Sequence, residues 1–471
     1  MTQALVWAAF AAGLLLAFRR WPPAVAAAVG LVAGWLLLPA GPFPEGSGEA
    51  RFAYWITGAA VPSPMWLTKA AGVPVLVLMA AVVMDRDSWR GVLRWRLRAD
   101  AAHASGPRWL LADAWVLAWC LWPLVGLWTF WPRSGLEADP PPWWSCAYLA
   151  AVWGVPWLLG RVYFAQLSDR RLLAQVLVWS VLACLPFALV EGIGGVSLHS
   201  LVYELHPFRE DGLDRTVGHR PVGFFEHGNQ YGIWVSLCAV LAPLLVLTRR
   251  NDDRLGWVVV GLVVAVALAA QSAGGLLLGG ACWALLALRH GLRWRAMVAW
   301  VGAAAALVGA VYLSGALPIH HWVRNTEAGR QALQAARAVG LGSFAWRVSQ
   351  DQKVLPLVKA QPVAGQQRWD WWRQKDTRPW GLGMLTAGQF GLVGAALWVT
   401  LLLWPVVRIF RYAPYTDPRL PRTLDTLLAM VVVAAVLDGM VNSFFFYPAI
   451  LIAGALAAHS AAIGRPATAA P

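Results

Sequence analysis

Charged side chains are scarce in this chain of 471 residues. Only 13% are Asp, Glu, Lys or Arg, about half of what a soluble domain carries, which argues against a water-soluble globule or a disordered charged tail. Acidic residues are the scarcer sign, 24 against 38 Lys and Arg. Cysteines are few: Cys120, Cys146, Cys184, Cys238 and Cys282 stand in or beside apolar runs and form no CxxC pair. A disulfide framework or thiolate metal site is therefore not expected, and packed thiols are. What fills the chain is apolar: 59% hydrophobic residues and a mean hydropathy of +0.55. The composition predicts an all-α, polytopic integral membrane protein. A net charge of +14 then reports on loops and on contact with anionic lipid. Basic residues are scattered between spans and do not lie along one soluble face, so no nucleic-acid partner is expected.

Runs long enough for about 30 Å of hydrocarbon fall near 3–18, 23–40, 70–84, 109–131, 143–160, 173–192, 230–247, 255–270, 274–288, 296–314, 383–407, 423–440 and 444–463. That predicts twelve or thirteen helices, with the 255–288 pair open to a different division. The first run has no charge before it and no clear cleavage site, so it reads as a span and not as a signal peptide. Alternate loops differ in charge: one side holds 22 Lys and Arg, the other 16, of which ten lie in the single loop 315–380. Short loops set orientation, which places the N-terminus outside and the C-terminus in the cytoplasm. The expected division is N-terminal helices 1–192, outer loop 193–229, central helices 230–314, large outer loop 315–380, and C-terminal helices with a short tail 381–471.

Six of the nine histidines lie in those two outer loops, and long loops with structure of their own are usually functional. Thr326 to Val339 within the second reads as a helix. Chemistry is therefore expected on the outer face. The stretch Arg220-Pro-Val-Gly223-Phe-Phe225-Glu-His227-Gly-Asn229-Gln-Tyr-Gly232 leads directly into a span. A guanidinium beside glycines at a helix start suits an anion; an arginine snorkelling to lipid headgroups fits the same pattern. His227 is the histidine placed best to contact a substrate. His320-His321 reads as a base, a metal site or an interfacial pair, although no metal spacing is present. Trp369-Asp370-Trp371-Trp372-Arg373 offers flat faces for sugar rings, or belongs to an interfacial aromatic belt. Asp113, Glu191, Asp425 and Asp438 are carboxylates inside apolar runs, each expected to have a partner. Asp438 and Asn442 share one helix face, and either line an acceptor cavity or bond two packed helices.

The arginine, the following Gly-x-Phe and the asparagine at the start of a span resemble the signature of the O-antigen ligase and polymerase membrane-protein family. Gln271-Ser272-Ala273-Gly274-Gly275 resembles its outer Ser-Arg-Gly turn. Arg347 followed by Pro362-Val-Ala-Gly365 resembles its loop segment, and Leu382 to Gly394 its following helix start. The similar portion runs from about 215 to 450. It implies a metal-independent glycosyltransferase with no cofactor, in the bacterial inner membrane, working at the periplasmic face. Its donor would be an undecaprenyl-diphosphate-linked glycan and its acceptor another glycan, a lipid A core or a protein, with membrane lipids around it.

On this resemblance Arg220, Asn229, Arg347, Arg368, Arg373, Arg378, Trp372 and Asp438 bind substrate, and His227, His320 and His321 are the candidates for proton transfer. Two positions depart from the pattern. Ala273 stands where the family has arginine, and Trp380-Gly381 where it has His-Asn. Two other readings remain: a transporter or flippase for lipid-linked saccharide, and a non-catalytic component of a polysaccharide assembly complex.

Overall fold

Long apolar runs interrupted by Pro, Gly and Arg clusters leave the backbone one way to satisfy its polar groups in hydrocarbon, the α-helix. The computed structural model describes residues 2–40, 60–62, 68–93, 111–129, 141–203, 206, 218–247, 254–288, 294–315, 321, 325–338, 342–375, 377–412 and 421–463. Among the described residues there is no strand and the elements are helical. They are α1 (Thr2–Arg20), α2 (Pro23–Leu37), α3 (Lys69–Met84), α4 (Arg86–Leu93), α5 (Leu111–Leu121), α6 (Val125–Thr129), α7 (Pro142–Leu149), α8 (Val155–Tyr163), α9 (Leu167–Ala183), α10 (Leu185–Gly194), α11 (Leu198–Val202), α12 (Gly228–Val240), α13 (Leu244–Leu247), α14 (Arg254–Ala269), α15 (Ala273–Ala287), α16 (Trp294–Ser314), α17 (Glu327–Ala338), α18 (Gly342–Ala360), α19 (Leu382–Tyr412), α20 (Pro421–Val441) and α21 (Pro448–Ile463).

Among the described residues, six helical stretches are long and apolar enough to cross a membrane: Gln3–Arg20, Leu111–Trp128, Leu167–Gly194, Gly228–Val246, Leu382–Phe410 and Leu424–Val441. Shorter apolar helices accompany them. Burial separates centre from periphery. The Gly228–Val246 and Leu424–Val441 stretches are 83% and 89% buried inside the protein, whereas Gln3–Arg20 is 11% buried. The outer helices turn Leu255, Trp300 and Leu307 outwards, the apolar exterior that suits a protein solvated by lipid.

Small residues set the closest helix approaches, as is common in membranes. A side chain at Gly160 of α8 would collide with the Leu451 carbonyl of α21, and one at Gly454 of α21 with the Trp157 carbonyl of α8. Just before α8 the chain forms one π-turn, Ala150–Gly154. Pro156 follows it, and a proline lacks the N–H and crowds the carbonyl four residues earlier.

Two elements differ from the sequence-based expectation. Within the segment expected as the large loop, Gly342–Ala360 is a helix as well as Glu327–Ala338. Helix α19 is broken at Gly391, where φ is 74°. The segment 362–367 enters the break: the Leu392 N–H donates to the Pro362 carbonyl at 2.7 Å, and the N–H groups of Gln366 and Gln367 donate to the carbonyls of Gly388 and Gln389 at 2.8 Å each. Only glycine allows this at 391, because its conformation is left-handed and a side chain would strike the Val363 carbonyl.

The carboxylates Asp113 and Asp425 have buried partners. Asp113 pairs with Arg161 at 3.2 Å, and Asp425 with Arg170 at 2.7 Å. The second pair fastens α9 to the start of α20. Removing one member strands a charge away from water, at about 3–5 kcal/mol. Asp425→Ala is therefore expected to lower the thermal unfolding midpoint in detergent sharply, and Arg170→Met with Asp425→Leu to restore most of it. An unchanged midpoint in Asp425→Ala would refute this role for the pair.

Candidate functional site

The 220–227 segment is shaped before it reaches α12. Glu191, at the end of α10, accepts the N–H groups of Val222 and Gly223 on Oε2 at 2.6 Å each, and that of Leu198 on Oε1 at 2.8 Å. Gly223 has φ +58° and lies against the Phe187 ring, 2.8 Å from where a Cβ would stand. On the opposite side Lys69, fully buried at the start of α3, donates to the carbonyls of Phe224 at 2.5 Å and Trp35 at 3.0 Å. Glu226 faces that lysine; burial raises its pKa and the Lys69 charge opposes the rise. Its amide donates to Gln230 Oε1 at 3.0 Å. His206 donates from Nε2 to the Phe225 carbonyl at 2.9 Å, and burial, with His199 beside it, takes its pKa down to about 3. His199 accepts the amide of Ala40 at 3.3 Å. These two histidines hold the turn and are not available for chemistry.

The turn delivers Arg220, His227 and Asn229 to the N-terminus of α12. Arg220 is buried and its Nη2 donates to Asn229 Oδ1 at 2.6 Å. It crosses Gly228, where a Cβ would come within 2.8 Å of Arg220 Nε. His227 is the N-cap: its Nδ1 accepts the Asn229 amide at 2.9 Å, and its ring stacks on Phe444 with centroids 4.5 Å apart and planes at 10°. Burial, followed by the guanidiniums of Arg220, Arg347 and Arg378, holds the His227 pKa well below its usual value. The ring is therefore neutral. With Nδ1 occupied as acceptor, its proton sits on Nε2. In this tautomer His227 presents an N–H.

Arg347 and Arg378 arrive from α18 and from the segment ahead of α19. Arg347 donates from Nη1 to Asn442 Oδ1, and Asn442 Nδ2 donates to Asp438 Oδ1 at 2.5 Å. Burial lowers the Arg347 pKa, and Asp438 and Asp351 counter it. The Arg378 guanidinium carbon lies 3.5 Å from the Trp380 ring centroid and that of Arg347 5.9 Å. Two guanidiniums over one indole are at most about 9 Å apart, where like charges repel by roughly 2 kcal/mol at an effective dielectric of 20. Trp380, at the position where the resemblance calls for histidine, is the platform for both. Asp351 is buried; its carboxylate accepts the Tyr312 hydroxyl at 2.7 Å and the Trp380 amide at 3.0 Å. Burial pushes its pKa up to about 7, against those hydrogen bonds and Arg347.

The remaining candidates do not join this group. Arg368 and Arg373 each pair with Asp370 at 3.4 Å, and Arg373 lies over Trp369. Trp372 is fully buried and meets Trp369 edge-on. It has no face open to a sugar ring, which corrects that expectation. His321 is exposed, and His320 lies outside the described residues. Ala273 begins α15, whose Gly275 packs against Gly232 of α12. Sequence reasoning missed Asp351, Tyr312 and Phe444. The spacing of Arg347 and Asp351, four apart on one helix face, was the available signal for the first.

What gathers is a buried site with three guanidiniums, one neutral imidazole N–H and two carboxylates. Its chemistry is that of an anion receptor. No protein-family model, curated protein or solved structure matches this chain.

Asp351 makes stability depend on pH with a definite sign. Its unfolded pKa is about 3.9 and its folded value about 7. The stability it contributes is complete below the lower value and is lost as pH rises through the upper one. Between about pH 5 and 8 the unfolding midpoint of the native protein is expected to fall relative to that of Asp351→Asn. Parallel profiles would refute the assignment.

Proposed function

We propose that this protein is a membrane-embedded glycosyltransferase that takes a saccharide from an undecaprenyl-diphosphate carrier and joins it to an acceptor at the periplasmic face of the bacterial inner membrane. The observation that carries the reading is the convergence of Arg220, Arg347 and Arg378 on His227 at the head of a buried helix. Same-sign charges held together out of water call for a polyvalent anion. In an apolar protein that anion is most economically the headgroup of a lipid. On this reading the chain makes about thirteen spans, with the N-terminus outside, the C-terminus in the cytoplasm, and the segments 193–229 and 315–380 outside.

In the mechanism, the diphosphate sits among the three guanidiniums, with the His227 Nε2–H and the N-terminal amides of α12 directed at it. As the bond from sugar C1 to the phosphate oxygen lengthens, negative charge builds on the leaving diphosphate, where fixed donors stabilise it without reorganising. Asn229 orients Arg220, and Trp380 orients Arg378 and Arg347. The acceptor is a second glycan unit, a lipid A core or a protein hydroxyl. Arg368 and Arg373, paired with Asp370, are left out of the diphosphate clamp.

One observation favours a second reading. The break in α19 at Gly391, filled by the 362–367 segment, is the kind of discontinuous helix on which transporters build substrate sites. Purified protein that moved a lipid-linked oligosaccharide across liposomes with its linkage intact would favour that reading.

The direct test is binding of undecaprenyl diphosphate to purified Arg220→Ala, Arg220→Lys and Arg378→Ala, with glycan transfer followed in cells lacking the native copy. A charge-assisted bidentate contact is worth about 1.5–3 kcal/mol. Each alanine variant is therefore expected to weaken binding by roughly 10- to 100-fold, and lysine to restore it only in part. Full binding and full product in both alanine variants, at normal protein levels, would overturn the proposal.

A further inference from the structure

A glycosyl transfer to a hydroxyl needs a group that takes the acceptor's proton, and the position where the resemblance supplies a histidine holds Trp380. The groups near the arginine site can be sorted by what their acceptor atoms already do. His227 uses Nδ1 to accept the Asn229 amide and carries its proton on Nε2, so it has no lone pair to offer. Asp351 uses Oδ1 for the Trp380 amide and Oδ2 for the Tyr312 hydroxyl. Glu191 is occupied by three backbone amides. Glu226 faces Lys69 and accepts from Gln230 Nε2 at 3.4 Å. Asp370 is held between Arg368 and Arg373.

Asp438 differs from all of them. It lies one turn from the end of α20, and Oδ1 accepts Asn442 Nδ2, whose own Oδ1 accepts Arg347. Among the described residues Oδ2 makes no hydrogen bond. The carboxylate is thus fixed in orientation by one oxygen, tied through one amide to a guanidinium of the anion site, and left with its second oxygen open.

We infer that Asp438 Oδ2 is the proton acceptor for the acceptor hydroxyl, an inference that rests on the transferase reading above. In the step, the acceptor O–H bond breaks and its proton passes to Asp438 Oδ2. The oxygen's electron pair forms the new bond to sugar C1. The electrons of the C1–O bond leave with the diphosphate, which Arg220, Arg347 and Arg378 hold. Neutral carboxyl and lipid diphosphate are the end state, and no other reactant is required. The arrangement also couples the two halves of the reaction: Asn442 bonds the base with its amide nitrogen and the anion clamp with its amide oxygen.

The experiment compares Asp438→Asn, Asp438→Glu and Asn442→Ala. Undecaprenyl diphosphate binding is measured on purified protein, and conversion of undecaprenyl-diphosphate-linked glycan to acceptor-linked glycan is measured in cells lacking the native copy. Asp438→Asn keeps the shape and the bond to Asn442 but cannot take a proton. It is expected to bind undecaprenyl diphosphate within about twofold of the native protein while losing roughly 100- to 10,000-fold of the transfer rate. Asp438→Glu is expected to recover part of the rate. Asn442→Ala, which frees Arg347 and leaves the carboxylate, is expected to weaken binding.

Transfer at or near the native rate in Asp438→Asn would overturn the inference. So would a loss of binding in Asp438→Asn equal to its loss of transfer, since Asp438 would then act through Arg347. Either result leaves the diphosphate site standing, because that site is judged by Arg220→Ala and Arg378→Ala alone.

Discussion

The cost of holding cations together away from water governs the surroundings of His227. Arg220, Arg347 and Arg378 come from three separate segments, and their charges add to burial in keeping one imidazole neutral. A fold does not assemble such a group without partial compensation. Here Asp438 and Asp351 offset Arg347, the indole face of Trp380 takes Arg378, and Asn229 takes Arg220. Among the described residues Asp351, whose pKa burial pushes up to about 7, is one of the two carboxylates set against Arg347. On the proposed reading a diphosphate completes the site.

The surroundings explain how the strain is borne. The turn that carries Arg220 is anchored by the Glu191 carboxyl group on the amides of Val222 and Gly223 and by Lys69 on the carbonyl of Phe224. Both anchors are buried charges bonded to backbone, so the loop is gripped by its main chain and its side chains are left for the site. At the far end of the same helices the Arg170–Asp425 and Arg161–Asp113 pairs fasten helix to helix. Buried charge thus has two uses in this chain. The two ion pairs join helix to helix, whereas the arginines around His227 gather at one helix start.

The helices were legible in the sequence because each apolar run has to satisfy its own backbone in hydrocarbon, and the runs at 23–40, 70–84 and 423–440 coincide closely with α2, α3 and α20. Helix α18 was not legible, because it lies in a polar segment and carries Pro356. Arg220 and Asn229 stood out because glycines and a helix start flank them within a few residues. The loop's ten basic residues, by contrast, are equivalent as a string. Only the fold separates Arg347 and Arg378, which reach His227, from Arg368 and Arg373, which Asp370 takes up. The role of His227 was also beyond the sequence. Whether a histidine accepts or donates depends on which ring nitrogen is engaged, and that is settled by a single amide of the following helix.

The two departures from the family pattern acquire a joint meaning on the proposed reading. Ala273 and Trp380, which stand where the resemblance calls for arginine and histidine, are unrelated if each position is judged alone. In the folded chain Trp380 carries Arg378 on its face, so one substitution supplies the support for a cation that offsets the other. What disappears with the histidine is a proton acceptor, and the carboxylate bonded to Asn442 is the group beside the site with an oxygen still open. A change of base from imidazole to carboxylate fits the electrostatics. Burial and three guanidiniums together depress the basicity of His227, whereas for a carboxylate the guanidinium field favours the charged form and burial opposes it, as at Asp351. On the proposed reading, the guanidinium field thus disfavours an imidazole as the base and leaves the carboxylate of Asp438, beside Arg347, to take the proton.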